Sequence, residues 1–237
     1  MPARVVWLKI PWLMSPPAKS VRQLIFSVQL SKGRMEALTD GIFAIAMTLL
    51  VLELKVPELA KGVGSRELLH NLGRQIPSFF SFFVSFLYCG MMWIQHHLAM
   101  HFVRHVKAGM VWLNLGFLMT ISVLPFSCAL LGHFLGNLAA KEIYFGNLFL
   151  AASLLALQWI FTRRKNLLNQ DDPRALKAIG QQLLVLPLAT LTGIAATPLG
   201  AEAGFYAMAF VLLSLRVWQK KSFPKELTAP SLPQSSS

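Results

Sequence analysis

Residues 108–140 read AGMVWLNLGFLMTISVLPFSCALLGHFLGNLAA and contain no aspartate, glutamate, lysine or arginine. A helix needs about 20 apolar residues to cross a bilayer, so this stretch can hold one membrane span and the loop after it. The rest of the chain is organised in the same way, because its charged residues lie in short clusters between long apolar stretches. Charged residues make up only 14% of the 237 residues, well below the share typical of soluble domains. The sequence therefore predicts an all-α membrane protein.

Length and the absence of charge predict six membrane spans, with approximate limits 38–57, 75–95, 108–132, 143–162, 178–198 and 203–218. If these spans alternate in direction, the basic loop 163–177 lies on the same side as both termini. Positively charged loops stay in the cytoplasm, so both termini are predicted to be cytoplasmic. The predicted divisions are a basic leader at 1–33 (disordered or interfacial), a six-helix transmembrane domain at 34–220 and a mobile cytoplasmic tail at 221–237.

The net charge of +12 is explained by these basic loops. Nucleic-acid binding is not predicted, because the sequence has neither a basic patch interleaved with aromatic residues nor a zinc-finger spacing. An enzyme is not predicted either, since no constellation of acid, histidine and metal ligands lies within the spans.

The first predicted span carries an acid, Asp40, near its cytoplasmic end. A charge within a span usually marks a functional site, but the dipole also favours an anion in the first turns of a helix. Position alone leaves both interpretations open. Asp40 points about 140° away from Ile45 on a helix, so Asp40 is expected to face neighbouring helices. Arg34 either pairs with Asp40 through a neighbouring helix or anchors at the lipid headgroups.

The same helix has a stripe formed by Ile45, Thr48, Leu49 and Leu52, whose offsets of three, four and seven residues align on one face. By pattern alone, such a stripe more often packs against helices or lipid than lines a pore.

Histidines recur every four residues at His97, His101 and His105. On one continuous helix this spacing can present ring nitrogens to a metal, and histidine also titrates near neutral pH. The favoured interpretation is an interfacial polar face, and no metal site is predicted.

Residues 34–41, RMEALTDG, followed by IFAIAMTLLVLEL, resemble the signature of the transmembrane protein 175 family of potassium channels. The family motif is Arg-x-x-x-Phe-Ser-Asp, and here Leu38 and Thr39 replace the Phe and the Ser. The second span ends WIQHHLAMH, similar to the family's Trp-x-x-His-His pattern at Trp93, His96 and His97. The third span contains elements similar to the family's Leu-Asn-Leu and Leu-Pro-Phe. The resemblance covers residues 34–220.

The resemblance implies a six-helix subunit that assembles as a homotetramer around a pore lined by the first helix. It implies a constriction at Ile45, with further apolar layers at Leu49 and Leu52 and a selectivity layer at Thr48. It also implies a polar network that holds the first helix in place, made of Arg34, Thr39, Asp40, Trp93 and His97.

The function implied by the resemblance is a passive, potassium-selective or potassium-preferring leak channel in a cell membrane, of the bacterial single-repeat type. Potassium is the permeant ion and no cofactor is expected. The competing hypothesis is a secondary or proton-coupled transporter that uses Asp40 and the histidine cluster. The position of Asp40 at the membrane edge and the lack of an internal repeat count against that hypothesis.

Overall fold

The computed structural model describes residues 31–59, 62–169, 172–200 and 202–222. Their regular elements are seven α-helices and one short 3-10 turn, Thr197–Leu199. The helices are α1 Lys32–Val51, α2 Ser65–Gly73, α3 Ile76–His101, α4 Ala108–His133, α5 Leu138–Arg164, α6 Pro173–Ala196 and α7 Ala203–Ser222. The prediction of an all-helical fold is confirmed. The predicted leader and tail lie almost wholly outside the described residues.

Four of the described helices are long and apolar enough to cross a membrane, namely α3, α4, α5, and α6 together with the 3-10 turn. The 20 residues of α1 include several charges in its first half, and the apolar part of α7 covers only Ala203–Ser214. The protein is therefore a multi-pass membrane protein, as its sequence predicts.

The first helix lies about one and a half turns earlier in the chain than the predicted span 38–57. It begins after Ser31, whose hydroxyl accepts the Arg34 backbone N–H and caps the first turn. It ends at Val51, and the next residues form tighter turns in which Glu53 N–H donates to the Leu50 carbonyl. The charged residues Glu53 and Lys55 and then Pro57 come after Val51, and a proline disfavours helical backbone at the residue before it. The predicted C-terminal limit of this span is therefore wrong.

A short helix, α2, lies in the stretch that was predicted as a loop between the first two spans. None of its nine residues is buried. Its place between two apolar helices and its exposed surface suit a segment at the edge of the membrane domain.

The helices pack in a sequence that places α4 at the centre of the bundle. α4 contacts α1, α3 and α5, while α5 continues to α6 and α6 to α7. The ring of Phe43 on α1 lies 5.8 Å from that of Phe117 on α4, and both side chains are fully buried. These contacts use only one side of α1.

Small residues bring α6 and α7 close together. A Cβ added to Gly204 would lie 2.8 Å from the carbonyl oxygen of Gly193 and equally close to the ring of Phe145. Such close approach of backbones is the usual way in which membrane helices associate. The segment between α6 and α7 is fastened to the start of α5 by a buried lysine, Lys141, whose Nζ donates to the Thr197 and Gly200 carbonyls at 3.1 Å each.

Candidate permeation helix and its polar anchors

Thr39 joins the N-terminal half of α1 to the centre of the bundle. Its hydroxyl donates to the Met35 carbonyl one turn earlier, at 2.9 Å. The same oxygen accepts a hydrogen bond of 3.1 Å from Nδ2 of Asn114 on α4. The predicted network residue Thr39 is thus fully buried and bonded to another helix.

Asn114 is the centre of a buried polar cluster formed by Thr39, His96, Asn114 and Gln158. Its Oδ1 accepts from Nε2 of Gln158 on α5 at 3.2 Å and lies 3.0 Å from Nε2 of His96 on α3. Since Oδ1 can only accept, this hydrogen bond requires the proton of His96 on Nε2. The cluster therefore connects α1, α3, α4 and α5 through polar groups that satisfy one another away from water.

Sequence reasoning did not assign this cluster. His96 and the asparagine of the Leu-Asn-Leu element were recognised only within short motifs, and Gln158 was not singled out. The available signal was a polar side chain within an otherwise apolar span, which indicates an interhelical hydrogen bond or a functional site.

A second polar contact fixes the predicted residue Asp40. The indole Nε1 of Trp93 on α3 donates to Asp40 Oδ1 at 2.8 Å. The imidazole of His97 stacks on the same indole, with ring centroids 5.7 Å apart and planes inclined by 25°. All three side chains are partly open to the surroundings. The structure thus brings the predicted network residues Asp40, Trp93 and His97 together, and their role in holding the first helix stays a prediction.

Arg34 is exposed at the first turn of α1. Among the described residues its side chain takes part in no hydrogen bond or ion pair, and its contribution to the cap is the backbone N–H. Anchoring at lipid headgroups therefore stays a prediction for this residue.

The buried residues of α1 recur every three or four positions and are Met35, Thr39, Phe43, Ala46 and Leu50. The opposite side carries the predicted stripe. Ile45 is 57% exposed and Leu49 is 42% exposed. Leu52, the C-cap of α1, is 68% exposed. An apolar surface of this kind on a membrane helix can contact lipid or another copy of the chain. The stripe has a single polar side chain, which carries a hydroxyl group.

That hydroxyl belongs to Thr48, which is exposed on the same side. It donates to the carbonyls of Ile45 at 2.8 Å and Ala44 at 3.0 Å. Because its proton is used within the helix, the oxygen presents lone pairs outward, and an oxygen lone pair is what a partly dehydrated cation needs.

The predicted histidine stripe is interrupted. α3 ends at His101, and His105 lies in the segment between α3 and α4. Only His97 and His101 share a helix face. In the part of the chain that the structure describes, no three His, Cys, Asp or Glu residues are grouped closely enough to hold a metal ion.

Comparison with known proteins identifies the relatives of this chain. The family described as "Endosomal/lysosomal potassium channel TMEM175" matches residues 34–125. A potassium channel of Streptomyces collinus is 40% identical over 147 residues, which cover 60% of this chain and 68% of that protein. A potassium channel of Chamaesiphon minutus is 32% identical over 195 residues, which cover 80% of this chain and 88% of that protein.

A solved structure supports the same family assignment. The crystal structure of a lysosomal potassium-selective channel TMEM175 homolog from Chamaesiphon minutus has a TM-score of 0.67 and 28% identity, and the match covers 80% of this chain and 98% of that one. The relatives are ion channels and not enzymes, as the sequence predicts. The order of the motifs in α1, α3 and α4, the helical fold and these relatives together establish that the chain belongs to the TMEM175 family.

Proposed function

We propose that the chain is a potassium-selective leak channel in a cell membrane, with potassium ions permeating passively through a central pore. The observation that carries the proposal is the two-sided character of α1. One side is fastened to the bundle by Thr39 and Asp40, and the other exposes the apolar stripe around Ile45. Potassium is proposed as the permeant ion because the relatives are named as potassium channels.

A homotetramer in which the α1 helices of four copies line the pore suits this geometry. A rigid helix with one free apolar side can pack around an axis, where the same surface of each copy faces the others. In this arrangement four Ile45 side chains form the constriction, Leu49 and Leu52 form further apolar layers, and Thr48 forms the selectivity layer. A narrow apolar ring controls ion flow by dewetting and by the cost of removing ion hydration.

The membrane topology that we propose has six crossings, by α1 and α3 through α7, with both termini in the cytoplasm. The charged first turns of α1 then lie at the cytoplasmic surface, with Arg34 among the headgroups. The basic loop 163–177 lies on the same side. Residues 34–220 form the channel domain, 1–33 the cytoplasmic leader and 221–237 the tail. The partners are the lipid bilayer and the other subunits, and no cofactor takes part.

Flux into liposomes tests the function directly. Purified full-length protein is reconstituted into two sets of vesicles, one loaded with potassium and the other with sodium, and efflux of the internal cation is followed. We expect fast efflux of potassium that follows its gradient at constant pH on both sides, and slower efflux of sodium. Potassium movement that requires a proton gradient would instead support the transporter hypothesis, and equal rates for both ions would contradict selectivity.

A further inference from the structure

A cavity of about 670 Å³ opens between the C-terminal end of α5 and the first half of α6. Volumes of roughly 300–1,000 Å³ are typical of small-molecule sites. Trp159 and Gly180 line it on the buried side, and Arg163 and Lys177 line it on the exposed side. Neither the stripe of α1 nor the buried polar cluster contributes a residue to it. The cavity therefore needs an explanation separate from ion permeation.

The exposed side of this cavity is positively charged. Arg163 and Lys177 come from different helices, and within the described residues neither side chain forms a salt bridge. Asp172, the described acid nearest to them in the sequence, caps α6, because its carboxylate accepts the backbone N–H groups of Arg174 and Ala175 at 3.0 Å each. The cavity thus presents two cations to a ligand.

Two buried polar atoms on the lining have no hydrogen-bond partner within the described residues. They are Nε1 of Trp159, which is a donor, and Oε1 of Gln181, which is an acceptor. Unpaired buried polar atoms are uncommon in folded proteins. A ligand with an anionic oxygen and a hydroxyl group would satisfy both. A phosphodiester with a hydroxylated headgroup has this combination.

The remaining lining is apolar. Leu168, Leu176 and Leu184 line the cavity, and Leu184 is 46% exposed. A site with cations at the membrane surface and leucines on its wall is complementary to an amphiphile rather than to a free ion. Basic pockets between membrane helices on the cytoplasmic side are the usual setting for anionic lipid headgroups.

We propose that this cavity binds the headgroup of an anionic phospholipid of the cytoplasmic leaflet, with the phosphate between Arg163 and Lys177 and the acyl chains against Leu176 and Leu184. The proposal rests on the cytoplasmic placement of loop 163–177. It does not depend on ion selectivity.

Native mass spectrometry of the full-length protein in neutral detergent tests this site. The protein is titrated with dioleoylphosphatidylglycerol and, separately, with dioleoylphosphatidylcholine. Wild-type protein should bind the anionic lipid more tightly. The double variant R163Q/K177Q should lose about tenfold or more of that affinity, because each basic residue near an anionic surface contributes about a fivefold factor.

The matched control is R164Q/K165Q, which removes the same charge from two exposed neighbours that do not line the cavity. We expect the affinity of this control for the anionic lipid to stay within about twofold of wild type, because basic residues outside the cavity do not contact the bound headgroup. Equal losses in the two double variants would overturn the site in favour of diffuse attraction.

Two further outcomes would also overturn the proposal. One is equal affinity of the wild type for the two lipids. The other is binding of glycerophosphoglycerol, the headgroup without acyl chains, as tight as that of the whole lipid, because the site would then select a small anion. Mass spectrometry detects lipid binding independently of ion flux. A failure of potassium flux would therefore contradict the channel function and leave the lipid-binding result unaffected.

Discussion

Ile45 has more than half of its surface exposed on the side of α1 that faces away from the bundle. If four such side chains close the pore, Ile45→Ser should widen the ring and make it easier to wet. We expect a several-fold rise in single-channel potassium conductance and a fall in the potassium-to-sodium permeability ratio. Bilayer recording gives both values, the first in symmetrical potassium and the second from the reversal potential under a sodium gradient.

The matched control is Ile143→Ser on α5. Ile143 has similar exposure, 49%, and its helix packs between α4 and α6. A lipid-facing isoleucine should tolerate the change without altered permeation. Unchanged currents in Ile45→Ser, or equal changes in both variants, would contradict the constriction at Ile45.

Trp93 holds Asp40 through its indole N–H. Trp93→Phe keeps an aromatic ring next to His97 and removes the donor. We expect the free energy of unfolding to fall by about 1 kcal/mol, because the partly open carboxylate can exchange this hydrogen bond for one with water. The measurement is unfolding of the purified protein in mixed micelles by sodium dodecyl sulfate.

Trp112→Phe is the control for that variant. Trp112 on α4 is 60% exposed, and its indole has no hydrogen bond within the described residues. Its replacement should leave stability nearly unchanged. If the two tryptophan variants behave alike, the contact with Asp40 does not contribute measurably to stability.

At the level of helices, the buried polar cluster joins α1 to the bundle through the hydrogen bond from Asn114 to Thr39. Asn114→Leu would leave the polar groups of His96 and Gln158 without partners away from water. Each stranded group costs about 1–3 kcal/mol, so we expect a loss of about 3 kcal/mol in the free energy of unfolding. Micellar unfolding against sodium dodecyl sulfate measures it.

The double variant Asn114→Leu/Gln158→Leu tests whether these residues act as one unit. Each single change strands polar groups of the other partner, so the double change should cost less than the sum of the singles by about 1 kcal/mol or more. Strict additivity of the two changes would mean that the cluster is not a coupled network.

Much of the element order follows from the sequence, and the departures have physical causes. The long charge-free stretch after Lys107 becomes α4, which ends at His133, close to the predicted limit. The first span was placed too late because its apolar residues continue past Glu53 to Leu54, whereas helix formation depends on the Ser31 cap and on Pro57. α2 was not predicted, since its nine residues bury nothing and its apolar face is short, with only Leu68, Leu69 and Leu72.

At the scale of the whole molecule, α1 lies at one edge of the bundle and packs chiefly on α4 and α3. Its free apolar side predicts self-association of the chain. Light scattering or native mass spectrometry of the purified protein should give four times the chain mass of 26.4 kDa. A monomer or dimer that still conducts potassium would contradict a central pore lined by four α1 helices.

The sequence by itself determined the class of the protein, its family and the residues of the stripe. Runs of apolar residues and clusters of basic ones are local properties, and the motifs of α1, α3 and α4 can be read without a fold. Only the tertiary structure decided which polar side chains meet. Thr39 and Gln158 are 119 positions apart (158 − 39) and join through Asn114, a pairing that depends on helix packing.

The same holds for the two sides of α1. The second half of α1 is apolar nearly all round, so hydrophobic periodicity could not say which of its sides is covered. Packing against α3 and α4 buried Phe43 and left Ile45 free. The cavity beside Trp159 likewise depends on the tertiary structure, because its lining comes from the end of α5 and the first half of α6.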